Sequence, residues 1–427
     1  MKPILLVHQE TKSSWVSCQS IVANLKKAYQ MAFGETAIQS VALNSQMDRF
    51  QVMELAKEIA GLAPEKIVFI DHKPHPFDLI KCLDQVCEGK LPELYFHAFG
   101  DFTLNPIEWL GVEGQLAKTK VKIFAASEKQ AALLNSFVTE PEKIISYLPF
   151  PVSTEDFKWE AGARNTIRNQ FEIADDDFVF VYTGRLSIQK NVLDLIATFQ
   201  NLHSNFNSNC HIIFAGPMDD IGVPFLGKYV APGGFHFHWN AQVGKLPKEA
   251  EKKFHYLGNL DQKQLHSLYC AGDAFISLST HNDEDFGMSP AEALCCGMPA
   301  ILSDWGGYSS FNSMAQDNCL LVPCSVEGKK VAPNLVIALK QMMAAAQETL
   351  NANQRQQLSE KVGDKLSIKT ISNTIKEEVG NEPERFTSFN NHFGKLGSAW
   401  KLNAHAPFLD DQGNFSNFYR ELYSVYL

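Results

Sequence analysis

Short apolar segments alternate with longer amphipathic segments along most of the chain, and this alternation constrains the fold more than any other feature. A buried parallel strand is a continuous apolar run, whereas a helix shows apolar residues every three or four positions. In the first third of the chain the predicted strands are Ile4–Val7, Ile38–Leu43, Ile67–Ile70, Glu93–His97, Val121–Ala125 and Ile144–Leu148. Strands that alternate with helices predict a parallel sheet with helices on both faces.

The alternation stops at Pro149–Val152 and begins again after a polar stretch, Ser153–Asp177. This stretch is typical of a linker with one short helix. The predicted strands that follow it are Phe178–Tyr182, Cys210–Ala215, His255–Leu257, Ala274–Ser279, Ala300–Ser303 and Cys319–Val322. A chain of 427 residues also exceeds one ordinary core, so its length favours two domains.

The fold prediction is therefore α/β, with two doubly wound parallel-sheet domains of the Rossmann-like type. The predicted boundaries are an N-terminal domain over 1–150, a linker over 151–177, a second domain over 178–382 and a tail over 383–427. Pro217–Leu246, rich in glycine and proline, interrupts the second domain and is expected to be a functional or binding element. The tail ends in an amphipathic stretch, Phe415–Tyr426, which predicts a helix that packs on the N-terminal domain.

Charge and cysteine content limit the possible functions. The net charge of −10 argues against a general binder of nucleic acid or anionic membranes. Nine scattered cysteines without a Cys-x-x-Cys motif are typical of reduced thiols in a cytoplasmic protein. No apolar run approaches the ~20 residues of a spanning helix, so we expect no transmembrane segment.

The most informative stretch is His281–Pro299, which follows a predicted strand and enters a short helix. It contains two carboxylates, Glu284 and Glu292. Ser289 and Glu292 have the spacing of a capping box, in which Ser289 is the N-cap and Glu292 only reaches back to it. Alternatively, both carboxylates serve a ligand, because the helix start and the end of a strand are where α/β sheets bind ligands.

A second stretch, Tyr182–Lys190, places two cations just after another strand. Arg185 and Lys190 suit a phosphate group, although surface cations are the simpler interpretation. Both stretches follow strands of one predicted sheet, so together they indicate a pocket for a phosphate ester that carries a diol. A P-loop is excluded at Gly222–Lys228, since Tyr229 occupies the Ser/Thr position. The first strand is not followed by Gly-x-Gly-x-x-Gly, which argues against a nicotinamide or flavin enzyme.

Three motifs in the second half resemble retaining glycosyltransferases of family 4, which have the GT-B fold of two Rossmann-like domains facing across a cleft. The motifs are Gly184-Arg-Leu-Ser-x-x-Lys190, Gly258-Asn-Leu260, and Glu284-x-Phe-Gly287 followed by Glu292-Ala-Leu-x-x-Gly297-x-Pro299. Their order and spacing match the family across roughly residues 178–325. The first half matches more loosely, through Phe96–Gly100 and Ala125–Glu128.

The resemblance implies roles for these residues. Arg185 and Lys190 would hold the donor pyrophosphate and stabilise the charge that develops on it. Glu284 would contact hydroxyls of the donor sugar, Glu292 would bind the nucleotide ribose, and His97 would lie beside the reacting carbon. The remaining donor-binding residues implied are Gly184, Gly258, Asn259, Leu260, Phe286, Gly287, Met288 and Ser289. Family members need no metal, so neither a metal nor another cofactor is expected. A buried core histidine is the alternative interpretation of His97.

Three places differ from the family pattern. His8–Trp15 replaces a Gly-Gly loop after the first strand, and Pro149–Val152 replaces an Asn-Gly-Val-Asp motif. Gly306–Phe311 keeps a Gly-Gly pair but lacks the glutamate that usually follows it.

The implied function is a cytoplasmic hexosyltransferase that moves a sugar from a nucleotide-diphosphate donor with retention of configuration. The second domain would bind the donor, and the first would bind an acceptor that is a saccharide, lipid-linked or a small molecule. Peripheral membrane contact and homo-oligomerisation stay open. A nucleotide-sugar epimerase of the same fold and a non-catalytic binding or scaffold protein are the alternatives.

Overall fold

The computed structural model describes residues 3–9, 16–44, 46–71, 75–206 and 209–427. The chain forms two compact units, and each contains one parallel sheet. The first unit comprises Met1–Pro151 and Ser367–Pro407, and the second comprises Val152–Leu366 and Phe408–Leu427. The predicted α/β fold with two doubly wound domains is confirmed.

The sheet of the first unit contains six parallel strands within the described residues. They are β1 (Ile4–Gln9), β2 (Ile38–Leu43), β3 (Lys66–Phe69), β4 (Glu93–His97), β5 (Val121–Ala125) and β6 (Ile145–Tyr147), in the order β2-β1-β3-β4-β5-β6. The helices between them are α1 (Val16–Phe33), α2 (Arg49–Leu62), α3 (His75–Val86), α4 (Pro106–Leu110), α5 (Glu113–Leu116), α6 (Glu128–Asn135) and α7 (Pro141–Ile144). Residues 10–15, most of the first place where the sequence differs from the family, lie outside the described residues.

The sheet of the second unit also contains six parallel strands in the part of the chain that is described. They are β7 (Phe178–Thr183), β8 (Cys210–Ala215), β9 (Phe254–Tyr256), β10 (Ala274–Ser277), β11 (Ala300–Ser303) and β12 (Cys319–Val322), in the order β12-β11-β10-β7-β8-β9. A separate antiparallel hairpin joins β13 (Cys324–Glu327) to β14 (Lys330–Pro333). The helices are α8 (Ala161–Gln170), α9 (Val192–Phe206), α10 (Gly234–Val243), α11 (Lys248–Glu251), α12 (Gln262–Ala271), α13 (Met288–Cys295), α14 (Ser310–Ala315), α15 (Leu335–Ala345) and α16 (Ala352–Leu366).

Apolar sequence patterns explain the core of the second unit. Every residue of β7 and β8 is buried, because helices cover both faces of the sheet. Helix α9 presents one apolar stripe to that sheet, with buried residues at the spacing of successive helical turns: Val192, Leu195, Ile196, Phe199 and Leu202.

The predicted linker is part of the second unit. Helix α8 lies within it, and its Arg164 and Arg168 donate hydrogen bonds to the carboxylate of Asp273 at 2.7 and 3.2 Å. Asp273 is buried at the start of β10 and also accepts from the backbone N–H of Val179. The polar composition of this stretch predicts a linker. The carboxylate that fixes α8 lies about one hundred residues later in the chain, so the local pattern does not reveal it.

The predicted end of the second domain at residue 382 also differs from the structure. Helix α17 (Ile368–Gly380) belongs to the first unit, where Ile371, Ile375 and Val379 are buried. Helix α18 (Asn391–Leu402) belongs there too, and Phe393 lies 5.9 Å from Phe102, measured between ring centroids. The apolar spacing of these helices predicts that they are buried but does not indicate which sheet they cover.

The last twenty residues return to the second unit, so the prediction that the final helix packs on the N-terminal domain is wrong. Helix α19 (Asn417–Leu422) and the turn after it bring aromatic rings to the buried Trp305. The ring of Tyr426 lies 5.4 Å from Trp305 and that of Tyr423 lies 6.1 Å from it. Phe415 stacks on Tyr419 at 3.8 Å between ring centroids. Burial of these rings next to Trp305 determines the placement of the tail.

The Pro217–Leu246 segment is largely structured. It contains α10 and the 3-10 helix Pro224–Leu226. Trp239 of α10 packs edge-on against Phe214 of β8, with ring centroids 5.2 Å apart. Phe235 and Trp239 therefore contribute to the core of the second unit, whereas Tyr229 and Phe237 are exposed. Among the described helices, none combines the length and the hydropathy needed to cross a membrane.

Candidate active site

In the sheet of the second unit, the strands that follow β7 in the chain are added first on one side of β7 and then on the other. β7 comes first in the chain, β8 and β9 follow on one side of it, and β10, β11 and β12 follow on the other. Because all these neighbours are parallel, the loops after β7 and β10 leave the same edge of the sheet side by side. Ligands of open α/β sheets bind in the crevice at such a switch point. The two informative stretches of the sequence, Tyr182–Lys190 and His281–Pro299, run from these two strands.

A half-buried ion pair joins the two loops. Lys190, at the end of the 3-10 helix Ile188–Lys190, donates from Nζ to Oε1 of Glu284. Ser279 Oγ donates to the same oxygen at 2.6 Å. Burial would raise the pKa of Glu284, but the Lys190 ammonium and the hydrogen bonds from Lys190 and Ser279 outweigh it and hold that pKa below its usual value. The carboxylate is therefore ionised at neutral pH and its charge is balanced by Lys190.

The second cation of the loop after β7 has a carboxylate partner too. Arg185 donates from Nη1 to Oδ2 of Asp219 at 2.8 Å. Backbone hydrogen bonds fix this arrangement, since Leu186 donates to the carbonyl of Pro217 and accepts from the N–H of Asp219. The loops after β7 and β8 are thereby joined. An anionic ligand at this edge would compete with Asp219 for Arg185 and with Glu284 for Lys190.

Glu292 lies in a different environment from Glu284. It sits on α13, and the hydroxyl of Tyr269 donates to its Oε2 at 3.3 Å. The same hydroxyl lies 2.7 Å from Oγ1 of Thr183, at the end of β7. Burial raises the pKa of Glu292 to about 8, and the hydrogen bond from Tyr269 offsets only part of that effect. Glu292 is therefore mostly protonated at neutral pH, whereas Glu284 is ionised.

The start of α13 differs from the predicted capping box. The helix begins at Met288 with Gly287 at the N-cap, so Ser289 is the second helical residue. Gly287 has φ of +108°, and a Cβ added there would lie 2.6 Å from the Tyr308 ring. Only glycine satisfies both constraints. The interpretation of Glu292 as a partner of an N-cap serine is therefore wrong.

This correction gives a stability prediction. Ser289→Ala is expected to change the free energy of unfolding by less than about 0.5 kcal/mol, because no N-cap bond is lost and the Tyr269 hydroxyl, which also hydrogen-bonds Ser289, keeps Glu292 and Thr183 as partners. Ser416→Ala is the matched control: Ser416 is the N-cap of α19 and accepts from the N–H of Tyr419 at 3.2 Å. Its loss is expected to cost about 1 kcal/mol. Denaturant unfolding of both variants measures the difference, and a larger cost for Ser289→Ala would contradict the observed helix start.

The Gly-Gly pair that lacks the family's glutamate packs against the loop of Glu284. Gly307 N–H donates to the carbonyl of Glu284 at 2.6 Å. Gly306 has φ of +55°, and a Cβ there would come within 2.4 Å of the same carbonyl oxygen. The pair therefore fixes the backbone that carries Glu284.

The other predicted donor-binding residues fall into two groups. Gly184 ends β7, and Gly258, Asn259 and Leu260 follow β9, so all four lie at the same edge of the sheet. Phe286 and Met288, in contrast, are buried. Phe286 packs on Phe311 with ring centroids 5.2 Å apart, which makes it a support of the loop.

His97 lies in the first unit, at the end of β4. Its side chain is 1% exposed, its Nε2 lies 2.9 Å from the hydroxyl of Tyr29, and Phe124 packs beside its ring. Burial lowers the pKa of His97 to about 3, so the ring is neutral. Among the described residues its Nδ1 has no hydrogen-bond partner. The position agrees with the end of a strand that the sequence predicted, and the surroundings are those of a buried histidine.

Sequence reasoning missed three polar residues of this edge. Asp219 carries a local signal, because it follows Gly216-Pro217 just after a strand, where a carboxylate reaches the carboxyl edge. Ser279 follows β10 by two residues and could be found in the same way. Tyr269 carries no local signal, since it lies near the end of α12 and meets Glu292 only in the folded chain. Among the described residues, Glu284 and Glu292 do not belong to a set of three close metal-ligating side chains.

Comparison with known proteins finds similarity to glycosyltransferases. Residues 163–353, which lie in the second unit, match the family described as Glycosyl transferases group 1. Lipopolysaccharide 1,2-N-acetylglucosaminetransferase of Salmonella typhimurium is 26% identical over 201 residues, which are 47% of this chain and 48% of that protein. The match thus spans about half the length of this relative.

Solved structures with the GT-B fold resemble most of the chain. HepE of Anabaena in complex with UDP has a TM-score of 0.63 at 15% identity, with 88% of this chain and 99% of that chain covered. Its complex with UDP-glucose has a TM-score of 0.62 at the same identity and coverage. Sucrose-phosphate synthase of Thermosynechococcus elongatus has a TM-score of 0.61 at 13% identity, with 89% and 98% covered. The predicted GT-B fold is thereby confirmed.

Proposed function

We propose that this protein is a glycosyltransferase that moves a sugar from a nucleotide-diphosphate-sugar donor to an acceptor hydroxyl. The observation that carries the proposal is the Lys190–Glu284 ion pair at the switch point of the second sheet. It lies inside the segment that matches the glycosyl transferases group 1 family. A UDP-sugar is the donor class we favour, because HepE was solved with UDP and with UDP-glucose and the Salmonella relative transfers N-acetylglucosamine.

In this proposal Arg185 and Lys190 bind the donor pyrophosphate. Both are held near the carboxyl edge by carboxylates, Asp219 and Glu284, which keep the cations in place before the donor arrives. The first turn of α13 adds backbone N–H groups that favour an anion. As the bond from the sugar to phosphate breaks, negative charge grows on the leaving phosphate, and the two cations stabilise it.

The two glutamates bind different parts of the donor. Glu284, ionised beside Lys190, accepts hydrogen bonds from sugar hydroxyls. Glu292, one turn into α13, accepts the two hydroxyls of the ribose. The resemblance to family 4 further supports retention of configuration, with the leaving phosphate taking the proton of the acceptor hydroxyl. We propose a saccharide as the acceptor, in keeping with the substrate named for the Salmonella relative.

A donor screen tests the function without knowledge of the acceptor. UDP, GDP and ADP and their glucose and N-acetylglucosamine esters are tested for stabilisation against heat, and donors that bind are then assayed for release of the nucleotide diphosphate. Transfer of the sugar to water or to a mixture of saccharides, with release of UDP, is the expected result. Conversion of the sugar without an acceptor would indicate an epimerase, and the absence of nucleotide binding would indicate a scaffold protein; both contradict the proposal.

Turnover is expected to be independent of Mg²⁺ and Mn²⁺. In the proposal Arg185 and Lys190 neutralise the pyrophosphate in place of a metal ion, and Glu284 has its charge balanced by Lys190. The measurement is donor turnover by dialysed protein with and without millimolar Mg²⁺ or Mn²⁺. A requirement for either ion would contradict the assignment of Arg185 and Lys190.

His97 is included in the proposal because the resemblance to family 4 implies a role for it beside the reacting carbon. His97→Ala is expected to lower donor turnover by more than its loss of folding stability explains. Tyr29→Phe serves as the control, because it removes the hydroxyl 2.9 Å from Nε2 and leaves the ring. If His97→Ala destabilises the fold but turns over donor like the wild type, the alternative of a buried core histidine holds.

The chain has nine scattered cysteines and no Cys-x-x-Cys motif, which supports a reducing compartment, and we propose the cytoplasm. Neither peripheral membrane contact nor homo-oligomerisation enters the proposal.

A further inference from the structure

Two helices of the second unit bring together a histidine and two cysteines. His266 and Cys270 lie one turn apart on α12, and Cys296 follows the last residue of α13. Their ligand atoms, the ring nitrogen and two sulfurs, all lie within 4.8 Å of one another. No other set of three such side chains occurs among the residues that the structure describes. The fold brings Cys296 to the other two residues, because Cys296 lies 26 residues after Cys270 in the sequence.

The geometry of this cluster is that of a metal site. Sγ of Cys270 lies 3.5 Å from Nε2 of His266. A tetrahedral Zn²⁺ has bonds of about 2.3 Å to sulfur and about 2.0–2.1 Å to nitrogen, which separates neighbouring ligand atoms by roughly 3.5–3.8 Å. The carbonyl oxygen of Lys158 lies in the same place, 2.9 Å from Nε2 of His266 and 3.6 Å from Sγ of Cys270. It or a water molecule can complete four ligands.

We propose that His266, Cys270 and Cys296 bind one Zn²⁺ ion, which ties α12 to α13. Binding converts both thiols to thiolates and releases two protons, so that the two negative charges balance the ion. Both cysteines are buried, whereas His266 is partly exposed and provides the approach from solvent. Zn²⁺ suits one imidazole and two thiolates better than the oxygen-preferring Mg²⁺ or Ca²⁺.

The site has a structural consequence for the same two helices. Cys270 directly follows Tyr269, and Cys296 lies four residues after Glu292, one turn further along. A metal ion between the cysteines would therefore fix the helices that carry the Tyr269–Glu292 hydrogen bond. Metal binding is a property of the cluster alone and does not require that the proposed transferase activity is correct.

Cobalt titration of the full-length protein tests the proposal. Co²⁺ replaces Zn²⁺ in tetrahedral thiolate sites and gives a thiolate-to-metal absorption band together with visible bands. We expect one equivalent of Co²⁺ to produce these bands in reduced protein and one equivalent of Zn²⁺ to remove them. Zinc is also expected to raise the melting temperature of the protein.

Three variants identify the ligands. Cys270→Ser and Cys296→Ser are expected to abolish the thiolate band, and His266→Ala, at a partly exposed position, to weaken cobalt binding at least tenfold. Cys295→Ser is the matched control: Cys295 is buried next to Cys296 on the same helix but outside the cluster, so its variant should bind cobalt like the wild type.

Three outcomes would overturn the proposal. One is wild-type protein that gives no thiolate band with Co²⁺. Another is an equal loss of the band in Cys295→Ser and Cys296→Ser. The third is a Cys270–Cys296 disulfide whose reduction leaves the protein unable to take up metal. The wild-type titration needs no variant, so it decides the matter even if a cysteine substitution prevents folding.

Discussion

Lys190→Ala is expected to lower donor turnover about 100- to 1000-fold, which is the effect of removing one preorganised group from a developing negative charge. It is also expected to destabilise the fold. Lys190 is the charge partner of Glu284, and Glu284 is only 4% exposed. Removal of one partner leaves a buried charge unpaired, at a cost of about 3 kcal/mol or more. Loss of turnover alone would therefore not separate catalysis from folding.

A second substitution separates the two effects. Glu284→Gln in the Lys190→Ala background removes the unpaired charge, so the double variant should recover most of the lost stability. Its turnover should stay at least 100-fold below that of the wild type, because the cation is still missing and the carboxylate proposed to bind the donor sugar is replaced as well. Turnover is measured as release of nucleotide diphosphate at saturating donor, and stability is measured by denaturant unfolding. Recovery of both in the double variant would show that Lys190 only neutralises Glu284.

Matched controls exist on the surface of the same unit. Lys330 forms an ion pair of 2.6 Å with Asp194, and its side chain is 45% exposed. Lys330→Ala is expected to cost less than about 1 kcal/mol and to leave turnover unchanged. Arg185→Ala should lower turnover over the same range as Lys190→Ala, whereas Arg420→Ala, at an exposed position of α19, should not. Equal activity of the two arginine variants would remove Arg185 from the site.

The sequence predicts the sheets well because each strand is a local apolar run between turns. The predicted bounds of β2, β4, β5, β8, β11 and β12 coincide with the structure. The same locality brings Lys190 and Glu284 together: each follows a strand, and adjacent parallel strands put their following loops side by side. The contact between the two residues thus follows from topology, although its role in catalysis is still a prediction.

Contacts that depend on distant partners were not predicted. The placement of α8 depends on Asp273, about one hundred residues later, and the placement of the tail depends on Trp305. The local sequence pattern identifies neither Asp273 nor Trp305 as a partner. The start of α13 was misassigned for a different reason. Ser289 and Glu292 have capping-box spacing, but φ of +108° at Gly287 and the nearby Tyr308 ring make the glycine the N-cap.

The protonation of Glu292 is expected to control nucleotide affinity. In the free protein burial raises its pKa to about 8, whereas the pKa of Glu284 stays below its usual value. A ribose diol that donates two hydrogen bonds needs the ionised carboxylate, so nucleotide binding must expel the proton. If only the ionised form binds, affinity for UDP should rise roughly 10- to 30-fold from pH 6.5 to pH 8.5 and level off above the pKa. Calorimetry at the two pH values measures the change.

Folding stability should fall as the pH rises, whereas the affinity for UDP should rise. The pKa of Glu292 in the folded protein lies above its ordinary value of 4.5, so its protonated form stabilises the fold below that value. This stabilisation is lost as the pH rises from about 4.5 through 8, by an amount of roughly 3–5 kcal/mol. Glu292→Gln carries no ionisable group there and should lack this loss.

Glu292→Gln is also the control for affinity, because the second ionisation of the phosphate affects UDP binding to both proteins equally. We expect the variant to bind UDP about 10- to 100-fold more weakly than the wild type at pH 8.5, where the carboxylate supplies charge-assisted hydrogen bonds. The affinity ratio of the two proteins should shrink towards unity near pH 6.5, since the protonated carboxyl and the amide have similar hydrogen-bonding groups. Wild-type affinity in the variant at both pH values would remove Glu292 from the ribose site and leave it as a buried acid of the α12–α13 contact.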